Sequence, residues 1–249
     1  DTSAEPIGML ASRQYYHTEE LNDEGYTGAG VTVGVIDSGI DYEHPDLANA
    51  FSDKLPNGED APEELLLDGV FYGRNYLNNG HAANDPMDDH GHGTHVSGTI
   101  TGRGKDNIST RGIAPGVTLV AYKVITASDS VSSNNLIAAM EDAARDGCDI
   151  LNMSLGWSTQ NGPIHVTTLA LNNLALQYPD TLFVVCAGNN GPTSYTLWSP
   201  STSPLSLTVA NAEIPFARSN YVVHRAADGE ETANDTTIRL VRDDWNSTE

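Results

Sequence analysis

Short apolar runs and longer amphipathic stretches alternate along this chain. Residues 31–37, 118–125, 149–155, 182–187 and 206–209 are compact runs rich in Val, Ile and Leu. Runs of this length, bounded by turn residues, mark strands buried on both faces of a sheet. Between them the apolar spacing changes to three and four. After Ser133-Asn134-Asn135, which can cap a helix, Leu136, Ile137, Met140 and Ala144 form one stripe, and Gly147 ends it. Residues 164–177 predict a second amphipathic helix with Val166, Leu169, Ala170, Leu174 and Leu176 facing inward. Strands alternating with helices predict an α/β fold, a mostly parallel sheet with helices on both faces. The apolar residues of all five runs are expected in its core.

The remaining segments punctuate this pattern. Residues 1–30 read as an arm with a short helix, broken by Gly25-Tyr26-Thr27-Gly28-Ala29-Gly30 before the first strand. Residues 48–87 read as a long polar connection with turns at Pro56-Asn57-Gly58 and Asn78-Asn79-Gly80. Such a long connection usually carries secondary structure of its own or contacts substrate. Its acids Glu59, Asp60, Glu63 and Glu64 read as a solvated face, and His44, before Pro45, as a turn residue.

Charge narrows the partners. With 34 acidic against 12 basic residues the net charge is −22, which disfavours nucleic acid and anionic membranes. Such acidity suits a secreted or cell-surface protein. No stretch is long and apolar enough to span a membrane. The chain starts at Asp1 without a basic, apolar leader and reads as a processed or excised product. Its two cysteines, Cys148 before one strand and Cys186 near the end of the next, read as buried free thiols. Parallel neighbours would hold them at opposite ends of the sheet, beyond the roughly 7 Å between Cα atoms that a bridge allows. Asn107, Asn234 and Asn246 each head an Asn-X-Ser/Thr triplet, for which no role is expected.

Candidate chemistry gathers in three stretches. The first run ends in Asp37-Ser38-Gly39, an acid at the carboxyl end of a strand, where open α/β sheets keep their sites. Residues 88–99, Asp-Asp-His-Gly-His-Gly-Thr-His-Val-Ser-Gly-Thr, put His92 between two glycines at the start of a helix, a setting that suits a general base. The fourth run ends in Ala187-Gly188-Asn189, with an amide at the strand's carboxyl end.

These stretches, with Asn152-Met153-Ser154-Leu155-Gly156 between them, resemble the subtilisin-like serine peptidases, or subtilases, over residues 28–211. The resemblance implies a three-layer α/β/α fold with a subtilisin-like sheet. It also implies Asp37 as the acid that orients the base, His92 as the general base and Asn189 as the oxyanion donor. Ser154, Leu155 and Gly156 would pair with an extended peptide substrate, and with Ala187 and Gly188 they would border the pocket for the residue before the cut. Trp157 stands where the family usually has a small residue. It either narrows the cleft or packs on the surface. Trp198-Ser199-Pro200 matches a family loop with a cis proline beside the pocket, so Ser199-Pro200 is expected to be cis. The acid matching Asp46 often helps hold a structural calcium, but residues 105–110 do not match the partner loop clearly, and no cofactor or metal is expected to be required.

One part of the pattern departs from the family. The Gly-Thr-Ser-Met-Ala motif that carries the nucleophile is not in this sequence. Residues 212–249 are polar and charged, with a strand-like piece, Thr237-Ile238-Arg239-Leu240-Val241, inside them. They read as the start of an inserted domain or a linker, after an amino-terminal part of the catalytic domain at 1–211. The expectation is a serine endopeptidase acting on peptide or protein substrates, with its serine on a following segment or a second chain. The alternative is a non-catalytic relative that binds peptides or a partner in the cleft. Without the nucleophile helix, Val96, Met153 and Val185 are expected to face solvent.

Overall fold

All five apolar runs become strands of one parallel sheet, and a sixth strand joins them from the polar connection. The computed structural model describes residues 8–105, 107–158, 162–211, 220–224 and 236–240. The strands are β1 (Thr32–Asp37), β2 (Gly73–Asn75), β3 (Thr118–Lys123), β4 (Ile150–Met153), β5 (Leu182–Cys186) and β6 (Leu207–Val209), in the order β2-β3-β1-β4-β5-β6. Every pairing is parallel. β1 therefore lies inside the sheet, and its carboxyl end faces the loops between its neighbours. β2 has no apolar run and only three residues, which is why the hydrophobic pattern does not reveal it.

Two layers of helix cover the sheet. Ile36, Tyr122, Leu151, Met153, Phe183 and Val185 point to one face, under α4 (Ser133–Asp146) and α5 (Val166–Gln177). Val33, Val35, Leu119 and Ala121 point to the other, where Val96 and Ile100 of α3 (His92–Thr101) pack on them. Each large buried aliphatic side chain here contributes roughly 1.5–3 kcal/mol. Leu136, Met140 and Ala144 of α4 are buried as its spacing predicts, with Ile137 partly covered, and Gly147 ends the helix in the left-handed region at φ 93°. Ser132, not the three residues after it, occupies the cap position. Two short helices, α1 (Gly8–Tyr15) and α2 (Thr18–Asp23), form the amino-terminal arm.

Three expectations about burial are corrected. In α5 the inward face is built on Thr167, Thr168, Leu171 and Leu174, while Val166, Leu169 and Leu176 are 53%, 47% and 72% exposed. Apolar residues surround this helix, so their spacing could not select a face. The two threonines enter the interior because their hydroxyls find partners, His165 Nδ1 at 2.7 Å and Thr202 Oγ1 at 3.1 Å. On β6, the last strand in the sheet order, Leu207 and Val209 are half exposed, and Leu182 of β5 is 43% exposed. Conversely, Met153 and Val185 do not face solvent but are fully buried under α4 and α5, and Val96 is partly covered by the opposite cluster.

Both thiols are free, as expected; Cys148 is buried, but Cys186, expected to be buried as well, is only half-buried. Among the described residues no helix is long and apolar enough to cross a membrane. The chain divides into two compact units, Asp1–Asn211 and Ala212–Glu249. In the second, β7 (Asn220–His224) and β8 (Thr236–Leu240) pair antiparallel. Asn234 and Asn246 lie outside the described residues. Asn107 is exposed and turns its own loop, accepting from Ser109 N at 3.0 Å.

Candidate active site

The last residue of β1 is Asp37, and its side chain is fully buried. Its Oδ1 accepts from the Ser38 backbone N–H and from His92 Nδ1, each at 2.7 Å. Its Oδ2 is buried with no partner among the described residues. His92 opens α3, and its side chain is 43% exposed against 0% for Asp37. With Nδ1 committed to the acid, Nε2 is the ring nitrogen left for a reactant. The hydrogen bond to Asp37 raises the imidazole above its ordinary range. Partial burial opposes this, and the charges of Asp37, Asp129 and Asp88 add to the rise.

The sequence explains why the histidine sits there. Ser38 Oγ accepts from the Gly93 N–H at 2.9 Å and donates to Asp88 Oδ1 at 2.9 Å. The Asp88 carboxylate then accepts from the N–H groups of His90, Gly91 and Thr94 and from the Thr94 hydroxyl, capping the start of α3. Burial works against this carboxylate's charge, but those hydrogen bonds outweigh it and hold Asp88 below the usual carboxylate range. Gly93 allows the helix to meet the strand end, because a Cβ there would stand 2.1 Å from the Gly39 carbonyl oxygen. The close approach is thus between two protein segments. Behind this loop the fully buried Lys123, paired in register with Asp37 on β3, binds Asp89 Oδ1 at 2.8 Å and the Met87 carbonyl. Ser38, Asp88 and Lys123 were not singled out by the sequence pattern. Only Asp88 left a signal, an acid just ahead of a helix start.

The other expected residues lie along the same edge of the sheet. β4 follows β1, and β5 follows β4, so their carboxyl ends stand roughly 5 and 10 Å from that of β1. Beyond them run Ser154-Leu155-Gly156 and Ala187-Gly188-Asn189. The two segments stay adjacent, with the Cys186 thiol donating to the Leu155 carbonyl at 3.5 Å. Asn152 Nδ2 donates to Ser154 Oγ at 3.1 Å. Asn189 is exposed, and its amide makes no hydrogen bond among the described residues. Trp157 packs partly on the main core, with its ring 5.5 Å from that of His165. Ser199-Pro200 is cis, as expected, and Gly191-Pro192 is cis as well.

Protein groups hold the loop around Asp46. Asp46 Oδ1 accepts from Lys105 N at 2.8 Å, its Oδ2 from Thr110 Oγ1 at 2.9 Å, and its carbonyl from Arg103 N at 2.9 Å. The fully buried Arg13 of α1 donates to the carbonyls of Ile108, at 2.8 Å, and Arg111, and pairs with Glu19 at 2.6 Å. Calcium takes six to eight oxygen ligands. Here both Asp46 oxygens and two loop carbonyls already face donors, so these residues do not fit the ion. Among the described residues no group of three or more His, Cys, Asp or Glu could hold a metal. His44 serves its turn, accepting from Asp46 N at 3.2 Å.

A buried acid thus grips the Nδ1 of a half-exposed histidine at the carboxyl edge of a parallel α/β sheet. The Subtilase family model matches residues 28–240, and the chain belongs to that family. It is 33% identical over 214 residues to the Minor extracellular protease Vpr of Bacillus subtilis, covering 84% of this chain and 24% of Vpr. It is 34% identical over 224 residues to the PI-type proteinase of Lactococcus lactis subsp. cremoris, covering 76% of this chain and 12% of that protein. Among solved structures, a cold adapted subtilisin-like serine proteinase superposes with a TM-score of 0.53 at 26% identity, over 74% of this chain and 55% of the other. The chain thus spans about a quarter or less of these two curated relatives.

Proposed function

We propose that this chain provides the general base, its orienting acid and the oxyanion donor of an extracellular serine endopeptidase, whose nucleophile lies on a following segment or a second chain. The observation that carries the reading is the 2.7 Å hydrogen bond from His92 Nδ1 to buried Asp37. A serine hydroxyl attacks an amide carbonyl only when a base removes its proton. His92 Nε2 takes that proton as Oγ bonds to the carbonyl carbon, and Asp37 stabilises the resulting imidazolium. The Asn189 amide donates to the carbonyl oxygen as it becomes an oxyanion, a contact whose loss costs about 10²–10³ in turnover. His92 then returns the proton to the leaving amine. Ser154–Gly156 offer backbone groups to which an extended peptide adds as a strand. Residues 212–249 open an inserted domain between the Asn189 and serine segments.

A purely binding cleft has no need of an acid and a base in contact, which favours catalysis over a non-catalytic role. The test is a fluorophosphonate probe on the complete polypeptide or its co-purifying chains, followed by mapping of the label. Label on a serine in a Gly-Thr-Ser context outside residues 1–249 is the expected result, with loss of label in His92→Ala. Label on a serine within residues 1–249 contradicts it. Neither label nor hydrolysis favours the non-catalytic reading.

A further inference from the structure

We infer that Trp198 forms the floor of the pocket for the substrate residue before the cut, and restricts it to small uncharged side chains such as Ala, Gly and Ser. This rests on the peptidase reading above. The ends of β4 and β5 stay adjacent as Leu155-Gly156 and Ala187-Gly188, the expected pocket walls. Residues 198 and 199 are tied to both walls. Trp198 N donates to the Ala187 carbonyl at 3.1 Å, while Trp157 and Ser199 exchange backbone hydrogen bonds at 3.0 and 3.1 Å.

The Trp198 side chain lies against the glycines of both walls. A Cβ on Gly188 would stand 2.3–2.5 Å from the indole atoms Cγ, Cδ1 and Cδ2. A Cβ on Gly156 would stand 2.7 Å from the Ser199 carbonyl oxygen, 3.2 Å from Trp198 Cβ and 3.5 Å from its Cε3. The indole therefore fills the space that a side chain on Gly188 would need, and its edge reaches Gly156. Its orientation is held by the Nε1–H bond to Asn190 Oδ1 at 2.6 Å. An incoming large side chain would meet the ring or have to displace it and break that bond. A methyl or hydroxymethyl group needs only the shallow space above it. Trp157, the tryptophan that the sequence made the candidate for narrowing the cleft, rests instead on the core and His165.

The test compares kcat/KM for peptide p-nitroanilides that differ only in the residue before the cut, Ala, Leu, Phe or Lys, on the complete polypeptide. Apolar pocket contacts discriminate by about 10–200-fold per methylene, so wild type is expected to prefer Ala to Phe by at least about 100-fold. Trp198→Gly should raise the Phe rate about 100-fold while the Ala rate changes less than about tenfold. Trp198→Phe, a smaller ring with less risk to folding, should shift the same ratio partway. Equal wild-type rates on Ala and Phe, or an Ala to Phe ratio unchanged in the folded variants, overturns the inference and leaves the peptidase reading intact. No cleavage of any substrate together with no fluorophosphonate label overturns both.

Discussion

Replacing Asp37 by asparagine should lower kcat of the complete polypeptide by about 10²–10⁴-fold, with KM changing little. The substitution preserves shape. The asparagine oxygen can still accept from Ser38 N, as Asp37 Oδ1 does at 2.7 Å. That oxygen is also the one 2.7 Å from His92 Nδ1, so the amide N–H takes the place of Oδ2, which has no partner among the described residues. The substitution therefore weakens the acceptor on the ring proton, because a neutral amide oxygen replaces a carboxylate. It also removes the negative charge that stabilises the imidazolium, in a fully buried setting where water cannot replace it. Steady-state kinetics, with a thermal melt to show that the variant folds, measures the effect. A folded Asp37→Asn enzyme within tenfold of wild type would deny Asp37 its role.

The largest effect on stability is expected at Arg13. Its guanidinium is fully buried and serves three acceptors, the Ile108 and Arg111 carbonyls and Glu19. Arg13→Ala leaves two loop carbonyls and the part-exposed Glu19 without their donor, and at about 1–3 kcal/mol for each unsatisfied acceptor the loss is about 3–5 kcal/mol in all. For a chain of this size that corresponds to a fall in Tm of roughly 6–20 °C. Arg13→Lys should recover only part of the loss, because an ammonium cannot reproduce the fork. Because Arg13 and the donors on Asp46 hold this loop, chelation with EDTA should leave the wild-type melt unchanged. Calorimetry of the variants and of wild type with EDTA or calcium checks both points. A calcium-dependent rise of several degrees, or an Arg13→Ala melt within 2 °C of wild type, would refute this account of the loop.

β1, β3, β4 and β5 were legible because inner strands are largely buried and so appear as apolar runs, and α4 because its stripe is narrow and Gly147 stops it. β2 was not, since three residues held by β3 need no apolar pattern. The face of α5 was not, because burial there was decided by hydroxyl partners for Thr167 and Thr168, a tertiary property. At the site, Asp37 and His92 were legible through resemblance and chemistry together. Their support was not. Ser38 and Asp88 act through hydrogen bonds between segments 50 residues apart, and Trp198 through its fit against Gly188 and Gly156. Local pattern carries no record of such contacts.

The central claim, that Asp37 commits Nδ1 of His92 and leaves Nε2 as the base, is tested most directly by a ring-nitrogen NMR titration of His92, which needs no nucleophile. The expected result is a neutral ring protonated at Nδ1 and a pKa above the ordinary imidazole value, falling in Asp37→Asn. The sign carries over to stability. Because the folded pKa is raised, the pair's contribution is complete below the unfolded pKa and is lost as pH rises through the folded one. A wild-type pKa at or below the ordinary imidazole value, or a neutral ring protonated at Nε2, would contradict the account.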